Sequence, residues 1–304
     1  MRSDRARTAL ALALGLLGQL PLGALRGLGR TIGLAADFAD TRQAQTSRTN
    51  LALCMPHLPL DQRRRLARQS LIATASLAME MGLAWTGAPD RVLALVDDGP
   101  EIGRYLRPRG SDQGLLLLVP HLGNWEVLNL WLQASMPSGC RFTALFDPAR
   151  DHAIDAWVRD RRMRTGALLV PATASGIRTV LRTLHGGGVV GVLPDQVPPR
   201  PGGVHAPFFG HSARTMTLVQ RLLQRTGAEA LASVALRRAG GFTLRFLEPT
   251  AGLVASDPVL AATALNATVE RCVALAPSQY QWEYKRFKHP AQGAMDHYKG
   301  VIMK

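Results

Sequence analysis

The sequence predicts an α/β protein: a mixed sheet covered by helices on both faces, preceded by a helical, membrane-associated N-terminal extension. Three observations predict it. Residues 1–100 read as helical throughout. From residue 115 the texture changes to short β-type runs separated by helical segments, the pattern of a sheet with helices packed over it. No repeat with a solenoid period and no low-complexity tract interrupts the chain.

In chain order, TALALALGLLGQLPLGAL at 8–25 carries no charge over eighteen residues. That is near the lower bound for spanning a bilayer, and Gly15, Gly18, Pro21 and Gly23 weaken it as a helix. Arg2, Arg5 and Arg7 precede it, and Arg26 and Arg30 follow. Basic residues on both sides favour a segment lying on the cytoplasmic leaflet over one that crosses it. No clear A-x-A cleavage site follows, so a removed signal peptide is not expected. A buried core helix is the alternative reading. Residues 1–40 are thus expected to form the membrane-associated segment and residues 41–304 the α/β domain. Helices are expected over 42–54 and about 61–85, with DQRRRLAR of the second as a solvated face.

Strands are expected at 115–119, 142–146, 167–170, 189–193, 231–236 and 242–247, and helices at 124–135, 151–164, 175–184, 212–226 and 258–275. Ser212 reads as the cap of the fourth of these helices and Gly227 as its close. The Gly186-Gly187-Gly188 run has neither the lysine nor the spacing of a phosphate loop and reads as a turn.

The formal net charge is +14 and the lysines are only Lys285, Lys288, Lys299 and Lys304, so the basicity is almost all arginine. An anionic partner is implied, and arginine suits fork-like recognition of phosphate or carboxylate. Nucleic acid is not the expected partner: the aromatics sit inside apolar runs and the arginines are spread along the chain, not gathered in a stripe with exposed rings. Cys54, Cys140 and Cys272 form no CxxC, and Cys54 with His57 is a lone C-x-x-H without a second pair. Neither a disulfide framework nor a metal site is suggested.

The most informative stretch is LLLLVPHLGNWEVLNLWL at 115–132. An apolar strand ends at Pro120, and an apolar helix begins after Gly123-Asn124. His121 and Glu126 therefore flank the C-terminal edge of a strand and the first turn of a helix, where α/β proteins place ligands. With a turn between them, the carboxylate can fold back onto the imidazole, fix its tautomer and leave the other ring nitrogen as a general base. A histidine and a glutamate serving the helix dipole explain the same residues as well.

His121-Leu-Gly-Asn-Trp-Glu126 resembles the H-x-x-x-x-[DE] motif of the glycerolipid and lysophospholipid acyltransferases, in the form carried by the lipid A biosynthesis (lauroyl/myristoyl) acyltransferase family. Other stretches agree in order: Arg162, Arg164 and Gly166; Asp195-Gln196; Pro207-Phe208-Phe209-Gly210; and Pro277-x-Gln279-Tyr280-x-Trp282 followed by Arg286-Phe287-Lys288. Asn50-Leu51 is a looser match. The resemblance covers roughly residues 45–290. It departs at Phe146-Asp147-Pro148, where many members carry Tyr-Arg-Pro, which bears on the acceptor headgroup more than on the reaction.

The resemblance implies an O-acyltransferase of lipopolysaccharide biosynthesis at the cytoplasmic face of the inner membrane. It would move a fatty acyl chain from a thioester of acyl carrier protein or coenzyme A to a hydroxyl of an anionic lipid A precursor, without a metal or other cofactor. His121 would be the general base, oriented by Glu126. Arg162 and Arg164 would hold the anionic acceptor; Arg164 shares the helical stripe of Trp157. Asn124 and Asp195 are grouped with these, Asp195 ordering Arg164 or His121 or capping a loop. Trp125, Phe208 and Phe209 would line an acyl channel. The C-terminal WEYKRFKH would meet headgroups or the carrier. A lysophospholipid, phosphatidylinositol mannoside or aminolipid acceptor is the alternative within the superfamily, and a lipid esterase, with His121 activating water, is the alternative outside it.

Overall fold

The computed structural model describes residues 2–98, 113–136, 141–146, 152–199 and 202–299. Helix α1 (Arg2–Gln19) and helix α2 (Leu22–Phe38) divide the apolar N-terminal segment where Pro21 removes a backbone donor. Helix α3 (Arg42–Cys54) starts at Thr41, whose hydroxyl accepts from the Ala44 amide. Helix α4 (Leu60–Thr86) follows Pro59, and the short α5 (Pro89–Leu93) leads to β1 (Val96–Asp97).

The N-terminal helices lie on α4 at close range. A Cβ on Gly29 would sit 2.5 Å from the Ser76 Cα, and one on Gly33 would sit 2.5 Å from the Ile72 Cα. Only glycines one turn apart allow this approach, which the van der Waals packing of two backbones requires. Leu14, Leu25, Leu83 and Trp85 are buried at this junction with Val127, Leu130 and Phe242. Residues 8–25 therefore include core-facing side chains as well as exposed ones. Among the described residues no helix is long and apolar enough to cross a membrane.

The α/β part is built on strands β2 (Leu115–Leu118), β3 (Phe142–Phe146), β4 (Leu168–Pro171), β5 (Val189–Val192), β8 (Glu229–Arg238) and β9 (Gly241–Leu247). With β1 they form a sheet in the order β1-β9-β8-β2-β5-β3-β4. The five strands from β8 to β4 run parallel; β9 is antiparallel to β8, which makes the sheet mixed. Alternation along the strands sends Leu116, Leu118, Val190 and Val192 to one face and Leu115, Leu117, Val119 and Phe142 to the other. The first face packs under α8 (Ala174–His185), α9 (Leu218–Thr226) and α10 (Pro258–Leu275); the second packs under α6 (Trp125–Ala134). Helix α7 (His152–Met163) lies between β3 and β4 in sequence.

One expected element changes. Residues 203–216 form an antiparallel hairpin of β6 (Gly203–Phe208) and β7 (His211–Met216), joined by Phe209 and Gly210 at positive φ. Two consecutive left-handed residues are what a tight hairpin turn demands. Ser212 pairs with Pro207 inside that hairpin and caps nothing; the helix starts after Thr217 and closes on Gly227, at φ 63°.

Candidate active site

The loop after β2 is held on three sides. The Gly123 amide donates to the Gln279 carbonyl at 3.1 Å, the Asn124 amide donates to the Ala235 carbonyl at 2.8 Å, and the Gln281 amide donates to the His121 carbonyl at 3.1 Å. Gly123 has φ 67°, and a Cβ there would lie 2.1 Å from the Ala235 oxygen. A side chain is excluded by both the dihedral and the neighbour. The Asn124 side chain caps α6, accepting from the Val127 amide at 3.0 Å, and donates to Glu80 at 2.9 Å. It is fully buried, outside the cavity lining, and its contacts shape the loop.

Parallel register brings the key pair together. Leu118 of β2 is level with Val192 of β5, so His121 and Asp195, each three residues further on, meet beyond the sheet edge. The His121 backbone amide donates to Asp195 Oδ2 at 2.9 Å, and its ring Nδ1 lies 2.8 Å from Oδ1. Burial pushes the Asp195 carboxyl up, but the facing His121 charge and hydrogen bonds outweigh it, and the net shift is below the ordinary carboxylate value. An ionised Asp195 fixes the proton on Nδ1. Nε2 is then an acceptor, and the Gln196 side-chain nitrogen lies 3.1 Å from it.

The partner expected for His121 is engaged elsewhere. Glu126 accepts from the Trp85 indole at 2.8 Å and from the Arg162 Nε at 3.0 Å, with a second contact to the same guanidinium. Because α6 starts at Trp125, Glu126 sits on the helix flank that faces α4 and α7, away from Nδ1. Arg162 lies over the Trp85 ring at 5.3 Å, and Glu126 holds its charge above the ordinary arginine value against burial. The carboxylate on His121 is therefore Asp195, and Glu126 anchors Arg162.

A cavity of about 690 Å³ opens at this edge, lined there by His121, Trp125, Glu126, Arg162, Gln196 and Gln281. That size suits a small ligand or one flexible chain. Trp125 meets the His121 ring edge-on with centroids 4.8 Å apart. Arg164 lies apart, donating to the Ala84 carbonyl at 3.0 Å. Phe208 and Phe209 do not line the cavity. They pack with Tyr280, Trp282 and Phe287 in the core beneath the opposite sheet face, because the hairpin folds them inward. Arg286 is also buried, donating to the Arg214 carbonyl at 2.6 Å and to Thr215 and Asn266, and is not free for a headgroup. Gln196 was named only as the second residue of Asp195-Gln196, and Gln281 fills an unspecified position between Tyr280 and Trp282; nothing in their local sequence marks them as neighbours of His121.

The protein family described as bacterial lipid A biosynthesis acyltransferase matches residues 6–289 of the chain. The chain is 26% identical over 295 residues to the lipid A biosynthesis lauroyltransferase of Escherichia coli K12, covering 94% of this chain and 92% of that one. It is 27% identical over 275 residues to the palmitoleoyltransferase of the same organism, covering 89% and 87%. The myristoyltransferase of that organism is 28% identical over 257 residues, covering 82% and 76%.

Proposed function

This chain belongs to the bacterial lipid A biosynthesis acyltransferase family, and on that footing we propose how it transfers its acyl chain. His121 Nε2 takes the proton of an acceptor hydroxyl as that oxygen attacks the carbonyl carbon of an acyl thioester. The tetrahedral intermediate collapses, the carbon–sulfur bond breaks, and the imidazolium returns the proton to the leaving thiolate. An ester and a thiol result, with no acyl-enzyme. General-base assistance of this kind contributes roughly 10²–10⁴-fold. The observation that carries the reading is the Asp195–His121 pair, 2.8 Å from carboxylate to Nδ1, which leaves Nε2 as the basic nitrogen at the cavity wall, where the acceptor hydroxyl takes the place of the Gln196 amide now 3.1 Å from it.

Asp195 orients His121 and stabilises the imidazolium. Arg162, held by Glu126, supplies a fixed positive charge on the cavity wall for the anionic acceptor, a lipid A precursor; Trp125 flanks the base. The donor is an acyl thioester of acyl carrier protein, as the acidic counterpart to a chain of +14 net charge.

Residues 1–40 seat the enzyme on the cytoplasmic face of the inner membrane without crossing it. Supporting this, Leu12, Leu16, Leu28, Ile32 and Phe38 are exposed on α1 and α2, Phe38 at 94%, while the opposite faces of the two helices are buried on α4. Apolar side chains turned outward on helices that carry arginines are the pattern of interfacial helices. The test of the reaction is a mass-spectrometric transfer assay with acyl carrier protein thioesters and a phosphorylated lipid A precursor. A product heavier by one acyl chain, absent with His121→Ala, is expected; full turnover by that variant would end the mechanism.

A further inference from the structure

Besides His121, the cavity lining includes Leu128 and Leu132 of α6 and, from the strands beneath that helix, Phe142, Ala144, Leu169 and Gly191. Two features of the sequence make this space. Ala144 of β3 and Gly191 of β5 are register partners on the face that otherwise carries Leu117, Val119 and Leu231. Two adjacent positions without bulk leave a trough where a close-packed sheet would place branched side chains. One level lower, the register partners are Phe142 and Val189, and the trough is filled again. The Phe142 ring leans up across the bottom of it: a Cβ on Gly191 would lie 2.5 Å from the Phe142 Cζ. Phe142 is itself buried, in one core cluster with Trp131, Leu132 and Ala167.

We infer that Phe142 is the stop that sets the length of the acyl chain this enzyme transfers, with Ala144 and Gly191 as the small residues that open the trough above it. The inference rests on the acyl-transfer reading and adds the residue that limits its donor. The depth follows from the register. Gly191, where the ring tip lies, is level with Leu117, four residues before His121. At a strand rise of about 3.3 Å, which twist shortens, that is at most roughly 13 Å of trough. An extended chain advances about 1.2 Å per bond, by the same covalent geometry that gives ~3.5 Å per three-bond residue. A saturated chain of about ten to twelve carbons fits between the base and the ring, and longer chains meet the ring.

The experiment gives the purified full chain a lipid A precursor and equal amounts of acyl carrier protein thioesters of graded chain length, and reads the product masses. Wild type is expected to favour donors of about ten to twelve carbons. Phe142→Ala is expected to move the optimum about three to four carbons longer, the reach of the removed ring. Ala144→Leu, which fills the trough above the ring, is expected to move it shorter. Should Phe142→Ala fail to fold by circular dichroism, Phe142→Leu and Ala144→Leu carry the test, with shifts of opposite sign expected. Transfer that persists with one unchanged length profile in wild type and all folded variants overturns the stop. Transfer from no donor of any length overturns the acyl-transfer reading and the stop together.

Discussion

At the scale of the residue, two carboxylates divide the work that the sequence motif assigns to one. Asp195 holds His121, and Glu126 holds Arg162. The division is testable because the two losses differ in kind. Asp195→Asn should leave the protein folded and lower kcat by roughly 10²–10⁴ with little change in KM for either substrate, since the base remains but its tautomer and imidazolium lose support. Glu126→Ala strands a largely buried guanidinium and should destabilise the fold by about 3 kcal/mol or more, read as a lower denaturant midpoint, with a raised KM for the anionic acceptor. A pH test follows from the depressed Asp195 carboxyl. A carboxyl lowered in the folded state stabilises the fold above its unfolded value, near 3.9, and that contribution is lost as pH falls through the lower one. The gap in unfolding midpoint between wild type and Asp195→Asn should therefore be constant above about pH 5 and close in more acid solution. A gap that widens on acidification contradicts the assignment.

At the scale of the element, the N-terminal helices are tied to the loop that carries His121 through Glu80 on α4. Its fully buried carboxylate accepts from Arg26 of α2 and Arg237 of β8, both at 2.8 Å, and from the Asn124 cap of α6 at 2.9 Å. Arg26 reaches on to carbonyls of the β8–β9 turn, including Gly241 at 2.9 Å. Glu80→Ala leaves two partly buried guanidinium groups and the cap without their shared carboxylate. It should destabilise by about 3–5 kcal/mol in chemical denaturation, and loosen the loop that carries His121. The same tie bears on membrane binding. Removing α1 and α2 would take Arg26 and part of the core with them, so the membrane face is better tested by charge. Leu16→Glu with Ile32→Glu, at exposed positions, should keep the fold and lower binding to anionic vesicles in a flotation assay. Unchanged flotation would contradict the proposal that these helices seat the protein on a membrane.

At the scale of the whole molecule, most of the fold was legible because its signals are local. The runs LLLLV, FTALF and VVGVL announce strands by composition, and the helices between them announce themselves by length and spacing. The β6–β7 hairpin was not legible: HAPFFGHSART lacks a clean alternation, and the turn at Phe209-Gly210 carries only one glycine. The site was legible as far as His121 and its edge of the sheet. Its carboxylate partner was not, because strand order is not written locally: β5 lies beside β2 although β3 and β4 intervene in the chain. Only that adjacency brings Asp195 to His121 and leaves Glu126 to Arg162. The deep trough was hidden for the same reason, since Ala144 and Gly191 are ordinary small residues until β3 and β5 are side by side.

The most direct test of the central claim is the turnover of Asp195→Asn in the transfer assay, beside wild type and His121→Ala, with folding checked by circular dichroism. A lipid A precursor heavier by one acyl chain is expected from wild type, no such product from His121→Ala, and at least about a hundredfold slower transfer from folded Asp195→Asn. Turnover of Asp195→Asn close to wild type would mean that Asp195 does not orient the base.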